Sequence, residues 1–371
     1  MMSARFLTVV LERVFNMRDG FGREIDYMRI SVIDSCNLNC YYCNPCDNNE
    51  HCHALNILSV KEVLCIVRAA TRLGIKHFRL TGGEPLLHPQ LDEMVLQIKK
   101  IPGVSSVSLT TNAVLLVQHA KWLKEAGIDS INVSLDTIDA SEYERITKKP
   151  LLEEVKHGIN AAIECGIRVK INVVLTPQTD VVALTRYVAK KGTDIRFIEM
   201  MPVGEGHTNG VEPYKKVIGT LSKLYGEPCR INTEKTKEIN SGNDKRKIPD
   251  NGPAEYYIFP ELGIRVGLIQ AIHGKFCDTC NRIRVTADGR LMPCLGSSVT
   301  MDLVPDSWDF ADDVEKDFVI VRALRAAIKA KPRCHNFNDN AVTYTKTTET
   351  KTTEIEAAEV NAARNMSRIG G

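Results

Sequence analysis

The sequence predicts an α/β fold: a partial, TIM-like (β/α) barrel of six strand–helix units, followed by a C-terminal extension. Three observations carry this. Six strand-like runs, at about 27–34, 77–82, 105–111, 129–135, 168–175 and 194–200, alternate with apolar-periodic segments, a pattern that builds a parallel sheet from βαβ units. The alternation lacks the glycine fingerprint of a doubly wound dinucleotide-binding sheet. After Met201 the composition shifts, with Gly204, Gly206, Gly210, Gly242 and Gly252 and a run of charge over 235–247.

Taken in order, the chain opens with residues 1–16, whose apolar run over 6–11 is broken by Thr8 and is too short for a signal core or a membrane span. Arg5 and Arg13 outweigh Glu12 there, which leaves a cytoplasmic start and an organellar transit peptide as the two readings. Residues 17–202 carry the strand–helix units. The helix-like segments are 60–73, 91–101, 120–126, 152–165 and 181–191, and Gly74, Gly103, Gly127, Gly166 and Gly192 supply helix stops. Residues 203–254 read as a linker and a loosely structured start to a C-terminal domain that extends to 330. Residues 331–371 read as a tail, mobile where Thr, Lys and Glu crowd 343–357, and end in Gly370-Gly371.

A chain of 371 residues with 43% hydrophobic and 25% charged residues buries a sizeable core. A net charge of +2 excludes a polybasic nucleic-acid binder, so any anion site is local. Twelve cysteines without a convincing secretory signal point to metal rather than disulfides.

The strands depart from the continuous apolar runs expected of a buried parallel sheet. One alternate set of positions is polar in each: Arg29 and Ser31; Arg79 and Thr81; Ser108, Thr110 and Asn112; Asn132, Ser134 and Asp136; Lys170 and Asn172; Arg196. Residues i and i+2 share a face. Helices should cover the outside, so the shared face is the lumen, and the lumen is a polar cavity. Arg29, Arg79, Lys170 and Arg196 make its ligand an anion.

Cys36, Cys40 and Cys43 follow the first strand in the spacing C-x3-C-x2-C. Thiolates are soft ligands for iron–sulfur clusters, zinc or copper(I). Three of them leave one iron of a four-iron cubane open to a ligand that is not protein. The bland alternative is a zinc knuckle completed by His51, His53, Cys46 or Cys52. A second set, Cys277, Cys280 and Cys294 in the spacing C-x2-C-x13-C, also has three members, with His273 nearby as a possible zinc ligand. Arg282, Arg284 and Thr286 then alternate onto one strand face before an Asp288-Gly289 turn. Beside three ligating cysteines, the two guanidinium forks suit a phosphate.

The cysteine spacing with an aromatic before the third Cys, followed by Thr81-Gly82-Gly83-Glu84-Pro85, resembles the radical S-adenosylmethionine (SAM) superfamily. The resemblance narrows when Leu109-Thr110-Thr111-Asn112, Asn132-Val133-Ser134-Leu135-Asp136, Lys170-Ile171-Asn172, Arg196-Phe197-Ile198-Glu199, the second cysteine set with its arginines and the terminal Ile-Gly-Gly are read in order. Together they are similar to the GTP 3′,8-cyclases of molybdenum-cofactor biosynthesis over about 17–371.

The resemblance implies an open radical SAM barrel with a C-terminal iron–sulfur extension and two 4Fe–4S clusters, on Cys36, Cys40 and Cys43 and on Cys277, Cys280 and Cys294. It implies SAM contacts at Tyr42, Gly83, Ser134 and Met201, and GTP contacts at Arg29, Arg79, Thr110, Lys170, Arg282 and Arg284. It also implies catalytic roles for Arg282, Arg284, Gly370 and Gly371. The implied reaction begins with loss of the ribose 3′-hydrogen to a 5′-deoxyadenosyl radical and closes a bond to guanine C8. The implied partners are a flavodoxin- or ferredoxin-type reductant, a downstream cyclic pyranopterin monophosphate synthase and a second copy of the chain; neither nucleic acid nor membrane is expected. The sequence departs from the family pattern at Ser35 (commonly Arg), Asn44 (Met), His77 (Lys) and Ala113 (Gly), and none of these removes a cluster ligand. The competing readings are a radical SAM peptide or sulfatase maturase with an auxiliary cluster, and a zinc-stabilised binding module.

Overall fold

The computed structural model describes residues 17–43, 56–203, 210–231, 252–297, 300–303, 313–335 and 337. The expected strands form as β1 (Tyr27–Ser31), β2 (His77–Thr81), β3 (Ser106–Thr111), β4 (Ser130–Ser134), β5 (Val169–Val174) and β6 (Asp194–Ile198). Each pairs parallel with the next. The helices between them are α1 (Val60–Arg72), α2 (Leu91–Lys99), α3 (Leu116–Glu125), α4 (Ala140–Thr147), α5 (Leu152–Glu164) and α6 (Val181–Lys190). α1 begins with a reciprocal cap: Glu62 N–H donates to Ser59 Oγ (3.3 Å), and Ser59 N–H donates to Glu62 Oε2 (2.7 Å).

The C-terminal segment continues this sheet instead of standing apart from it. β9 (Arg265–Ile269) pairs parallel with β6, and β10 (Arg282–Val285) pairs parallel with β1. Antiparallel hairpins finish both edges, with β8 (Glu255–Ile258) and β7 (Cys229–Ile231) on one side and β11 (Arg290–Met292) and β12 (Met301–Asp302) on the other. The order β12-β11-β10-β1-β2-β3-β4-β5-β6-β9-β8-β7 has two ends, so the barrel is open. Part of the expected linker is ordered: a π-turn over Tyr214–Ile218 runs into α7 (Gly219–Tyr225) ahead of β7. α8 (Asp313–Lys329) packs against α1. The first tail residues are also buried, with Lys331 2%, His335 7% and Phe337 5% exposed.

The two faces of the strands divide as the alternation requires. Met28 and Ile30, Phe78 and Leu80, Val107 and Leu109, Ile131 and Val133, and Ile171 and Val173 are wholly buried in the core cluster with helix residues such as Ile66, Met94, Leu123 and Ile159. The opposite positions face the lumen. A buried ion pair, Asp194 with Arg265, joins β6 to β9 of the C-terminal segment.

Candidate active site

One cavity of about 760 Å³ fills the lumen. It runs the length of the strands, from His77, Ser106 and Ser130 at their starts to Gly83, Asn112, Asp136 and Met201 beyond their ends. Cys36, Cys40 and Cys43 line it after the C-terminal end of β1; Cys277 and Cys280 line it just before the start of β10. β10 runs parallel to β1 with Tyr27 opposite Arg282, so the two cysteine sets lie at opposite ends of the lumen. They are separated by about one strand length, roughly 16 Å at about 3.3 Å per residue.

Register sets the charge between them. Arg29 lies opposite Arg79 on β2 and Arg284 on β10, while Asn132 lies opposite Lys170, and Asn172 opposite Arg196. Arg79 Nε donates to Ser108 Oγ (3.0 Å). Arg196 donates from Nε to Asn172 Oδ1 (2.9 Å) and from Nη2 to Asn132 Oδ1 (2.6 Å). The Arg282 guanidinium lies over both the Tyr27 and Phe276 rings, 5.8 Å from each centroid. Burial, then Arg284 and Arg79, hold Arg29 well below its usual range. Burial and Arg282 bring Arg284 down to about 10. An anion among these groups relieves a cost already built into the fold. Thr110 Oγ1 is buried on the same wall with no partner among the described residues, which leaves a hydrogen bond for a ligand to make.

The first cysteine loop is held by backbone. Gly83 N–H donates to Ile33 O and Glu84 N–H to Ser35 O, both at 2.8 Å. A Cβ at Gly83 would stand 2.2 Å from Ser35 O, and one at Gly82 would stand 2.3 Å from Ile33 O. Only glycine permits this approach. Farther along, Asn39 N–H donates to Thr147 O and Tyr41 N–H to Ile146 O, tying the loop to the end of α4. The Tyr42 hydroxyl donates to Asp136, whose other oxygen accepts from Val174 N–H (2.7 Å). Asn112 Nδ2 donates to Asn37 Oδ1 (2.8 Å) and approaches Cys36 Sγ (3.8 Å). Cys36 opens onto the cavity but sits deep in the protein, so burial and then Glu84 push its thiol up to about 12. Burial, Cys43 and Asp136 raise Cys40.

The other end is cationic. Burial works to raise the Cys280 thiol, but Lys331, Arg282 and the Arg282 N–H outweigh it and bring it down. His273 is engaged elsewhere, by the Glu199 carboxylate.

All of Tyr42, Gly83, Ser134, Met201, Arg29, Arg79, Thr110, Lys170, Arg282 and Arg284 line the one cavity, with the six cysteines. Gly370, Gly371, Asn44, Cys46, Cys52, His51 and His53 lie outside the described residues. Sequence reasoning did not single out Lys331, His335 and Phe337, which reach the cavity from the tail, or Tyr27 and Phe276, which stack on Arg282. The signal for the tail residues was a Lys-Pro and a His directly after the last helix.

The donor sets fit clusters. Each is three soft thiols on the wall of a cavity roomy enough for a second ligand. Among the described residues, no three His, Cys, Asp or Glu side chains converge closely enough to hold one metal ion. A cubane asks for a looser set, because each thiolate binds a different iron.

Residues 30–183 match the family described as Radical SAM superfamily, and residues 193–337 match Molybdenum Cofactor Synthesis C. The chain is 36% identical over 324 residues to the GTP 3′,8-cyclase of Clostridium perfringens (strain SM101), covering 86% of this chain and 95% of that one. It is 37% identical over 328 residues to the GTP 3′,8-cyclase of Peptoclostridium acidaminophilum, covering 86% and 94%. The crystal structure of Streptococcus suis SuiB bound to S-adenosylmethionine superposes with a TM-score of 0.54 at 14% identity, covering 80% of this chain and 68% of that one; this is a likeness of fold. With a polar lumen between two cysteine sets and relatives matched along nearly their whole length, the chain belongs to the GTP 3′,8-cyclase family of radical SAM proteins.

Proposed function

We propose that this chain converts GTP to (8S)-3′,8-cyclo-7,8-dihydroguanosine 5′-triphosphate, a lyase-type step of molybdenum-cofactor biosynthesis. The observation that carries the reading is the arginine group Arg29, Arg79, Arg282 and Arg284 set by strand register between two cysteine triads in one cavity. Cys36, Cys40 and Cys43 would hold one 4Fe–4S cluster and Cys277, Cys280 and Cys294 the other; with SAM bound, the first supplies the 5′-deoxyadenosyl radical. The protein's own part is binding, orientation and exclusion of water. Gly83, Ser134, Met201 and the Tyr42 backbone would seat SAM at the first triad. Arg29, Arg79, Lys170, Arg282 and Arg284 would grip the triphosphate, and Thr110 would give its unused hydroxyl to the nucleotide. Fixing the polyphosphate in mid-lumen points the nucleoside along the strands, so that ribose and base are held between the two triads. Gly370 and Gly371 would complete the site from the chain end.

In this reading residues 17–202 form the radical SAM unit, 203–330 the second cluster domain, and 1–16 and 331–371 the extensions. The enzyme works in the cytoplasm as a homodimer, draws electrons from a flavodoxin- or ferredoxin-type protein and passes its product to a cyclic pyranopterin monophosphate synthase. Family membership supports these assignments. No helix among the described residues is long and apolar enough to cross a membrane.

The test is iron and labile sulfide per chain after anaerobic reconstitution, with 5′-deoxyadenosine release measured on the same sample with and without GTP. About eight irons and release stimulated by GTP are expected. About four irons, or release indifferent to GTP, would remove the second cluster or the substrate.

A further inference from the structure

The second triad is assembled from segments that are far apart in sequence, and a single buried junction fastens them. Lys331, 2% exposed, follows α8. Its Nζ donates to the carbonyls of Arg282 and Pro293, each at 2.8 Å. Arg282 lies two residues after Cys280, and Pro293 immediately precedes Cys294. The same charge lies close enough to act on the Cys280 thiol. Two of its three donors thus fasten the backbone beside two of the ligands, after Cys280 and before Cys294.

The neighbouring backbone is fastened in turn. Arg23, 9% exposed, donates from Nη1 to Cys277 O (2.6 Å) and Arg333 O (2.8 Å) and from Nη2 to Pro332 O (2.6 Å), with Asp19 pairing its Nε. All three cysteines of the set are therefore positioned through the 331–333 segment. A lysine is an unusual choice for a purely mechanical tie, since a buried ammonium carries a desolvation penalty that a neutral donor avoids. That penalty is offset if the neighbouring group is negative in the working enzyme, as a thiolate-ligated cluster is.

We propose that Lys331 is a positioning residue for the second cluster, holding the Cys280 and Cys294 segments in register and setting the cluster's reduction potential with its buried charge. The inference rests on the reading of Cys277, Cys280 and Cys294 as cluster ligands. A fixed positive charge beside the ligand sulfurs favours the more negative, reduced cluster. Removing it lowers the potential.

The experiment uses the full chain with Cys36, Cys40 and Cys43 all changed to Ser, so that any cluster signal comes from the second triad. After reconstitution, iron is counted and the cluster is titrated by electron paramagnetic resonance in this background and with Lys331→Met, Lys331→Gln or Lys331→Arg added. The expected result is about four irons per chain in the background, a more negative midpoint in the Met and Gln variants, and a return toward the background value in the Arg variant. Loss of iron in the Met variant with retention in the Arg variant also supports the role. Equal iron, midpoint and g-values in all four proteins would overturn it while leaving the cluster assignment standing. No iron in the background would overturn both. Should Lys331→Met not fold, Lys331→Gln, which keeps a donor for one carbonyl without the charge, carries the same comparison.

Discussion

Gly83→Ala is the sharpest structural test, because its consequence follows from distances alone. The added Cβ would lie 2.2 Å from Ser35 O, 2.5 Å from Ser35 C and 2.5 Å from Asp34 O. All three are backbone atoms, so no side chain can swing away. The first distance is more than about 1 Å inside ordinary contact, and either the Gly82–Gly83 turn or the 34–35 segment must retreat. Retreat breaks the bonds from Gly83 N–H to Ile33 O and from Glu84 N–H to Ser35 O. Two backbone hydrogen bonds at roughly 0.5–1.5 kcal/mol each, with roughly 1–3 kcal/mol for overpacking, give a loss of roughly 2–6 kcal/mol. Urea unfolding of the metal-free protein measures it, as a lower midpoint at an unchanged slope. Using metal-free protein separates this steric cradle from any contact that Gly83 makes with SAM. Iron uptake should also fall from about eight to about four per chain, because Cys36 moves with Ser35. Gly219→Ala is the control: its Cβ meets nothing within 4 Å, and the substitution should be neutral or slightly stabilising. A Gly83→Ala protein with the wild-type midpoint and full iron would refute the argument.

Glu84 accepts from Leu86 N–H, Thr111 Oγ1 and Asn112 N–H, yet burial raises its carboxyl to about 7, above its ordinary 4.5. The stability this group contributes is complete below pH 4.5 and is lost as the pH rises through 7. The unfolding free energy of Glu84→Gln relative to wild type should therefore shift by about 3 kcal/mol in the variant's favour from about pH 4 to about pH 8, and a flat difference would contradict it. Asp194→Ala leaves the buried Arg265 charge without its carboxylate and should cost about 3–5 kcal/mol in chemical denaturation; a cost under about 1 kcal/mol would mean that the β6–β9 junction does not depend on the pair. Ala113 holds φ 65°, in the left-handed region, so Ala113→Gly should be neutral or stabilise by up to about 1 kcal/mol despite the added chain entropy; marked destabilisation in a thermal melt would contradict it. Arg284→Ala should keep SAM cleavage measurable while GTP affinity falls at least about tenfold, a loss of about 1.4 kcal/mol; calorimetry that finds unchanged affinity would remove Arg284 from the substrate site.

The parts of this molecule that were legible in sequence are those whose cause is local. A strand side chain changes face at every residue, so Arg29, Arg79, Lys170 and Arg196 announced a lumen before any strand was paired. Helix stops at Gly74, Gly103, Gly127, Gly166 and Gly192 fell where predicted, each with positive φ. α4 was missed because Ala140–Thr147 is short, mostly polar and lacks the long apolar stripe of its neighbours. The pairing of β10 with β1 and of β9 with β6 had no local sign, since the partners are far apart in the chain. Lys331 was hidden for the opposite reason: in a tail rich in Lys and Thr, a buried lysine reads as one more solvated charge.

The two ends of the lumen differ in charge, and this bears on the ligands the family membership implies. At the first triad burial disfavours both Cys36 and Cys40 as thiolates, and the acids Glu84 and Asp136 act in the same direction. At the second, Lys331 and Arg282 act on Cys280 in the other direction, and Arg284, Arg29 and Arg79 continue the positive charge up the strands. SAM brings a sulfonium, an ammonium and a carboxylate, a net single positive charge, and a nucleoside triphosphate brings three phosphates. The triphosphate meets opposite charge among the arginines, in a lumen where burial strengthens the attraction, and SAM meets like charge there. In the proposed reading, the arginine charge set by the strand register therefore favours GTP at that end and leaves the first triad to SAM.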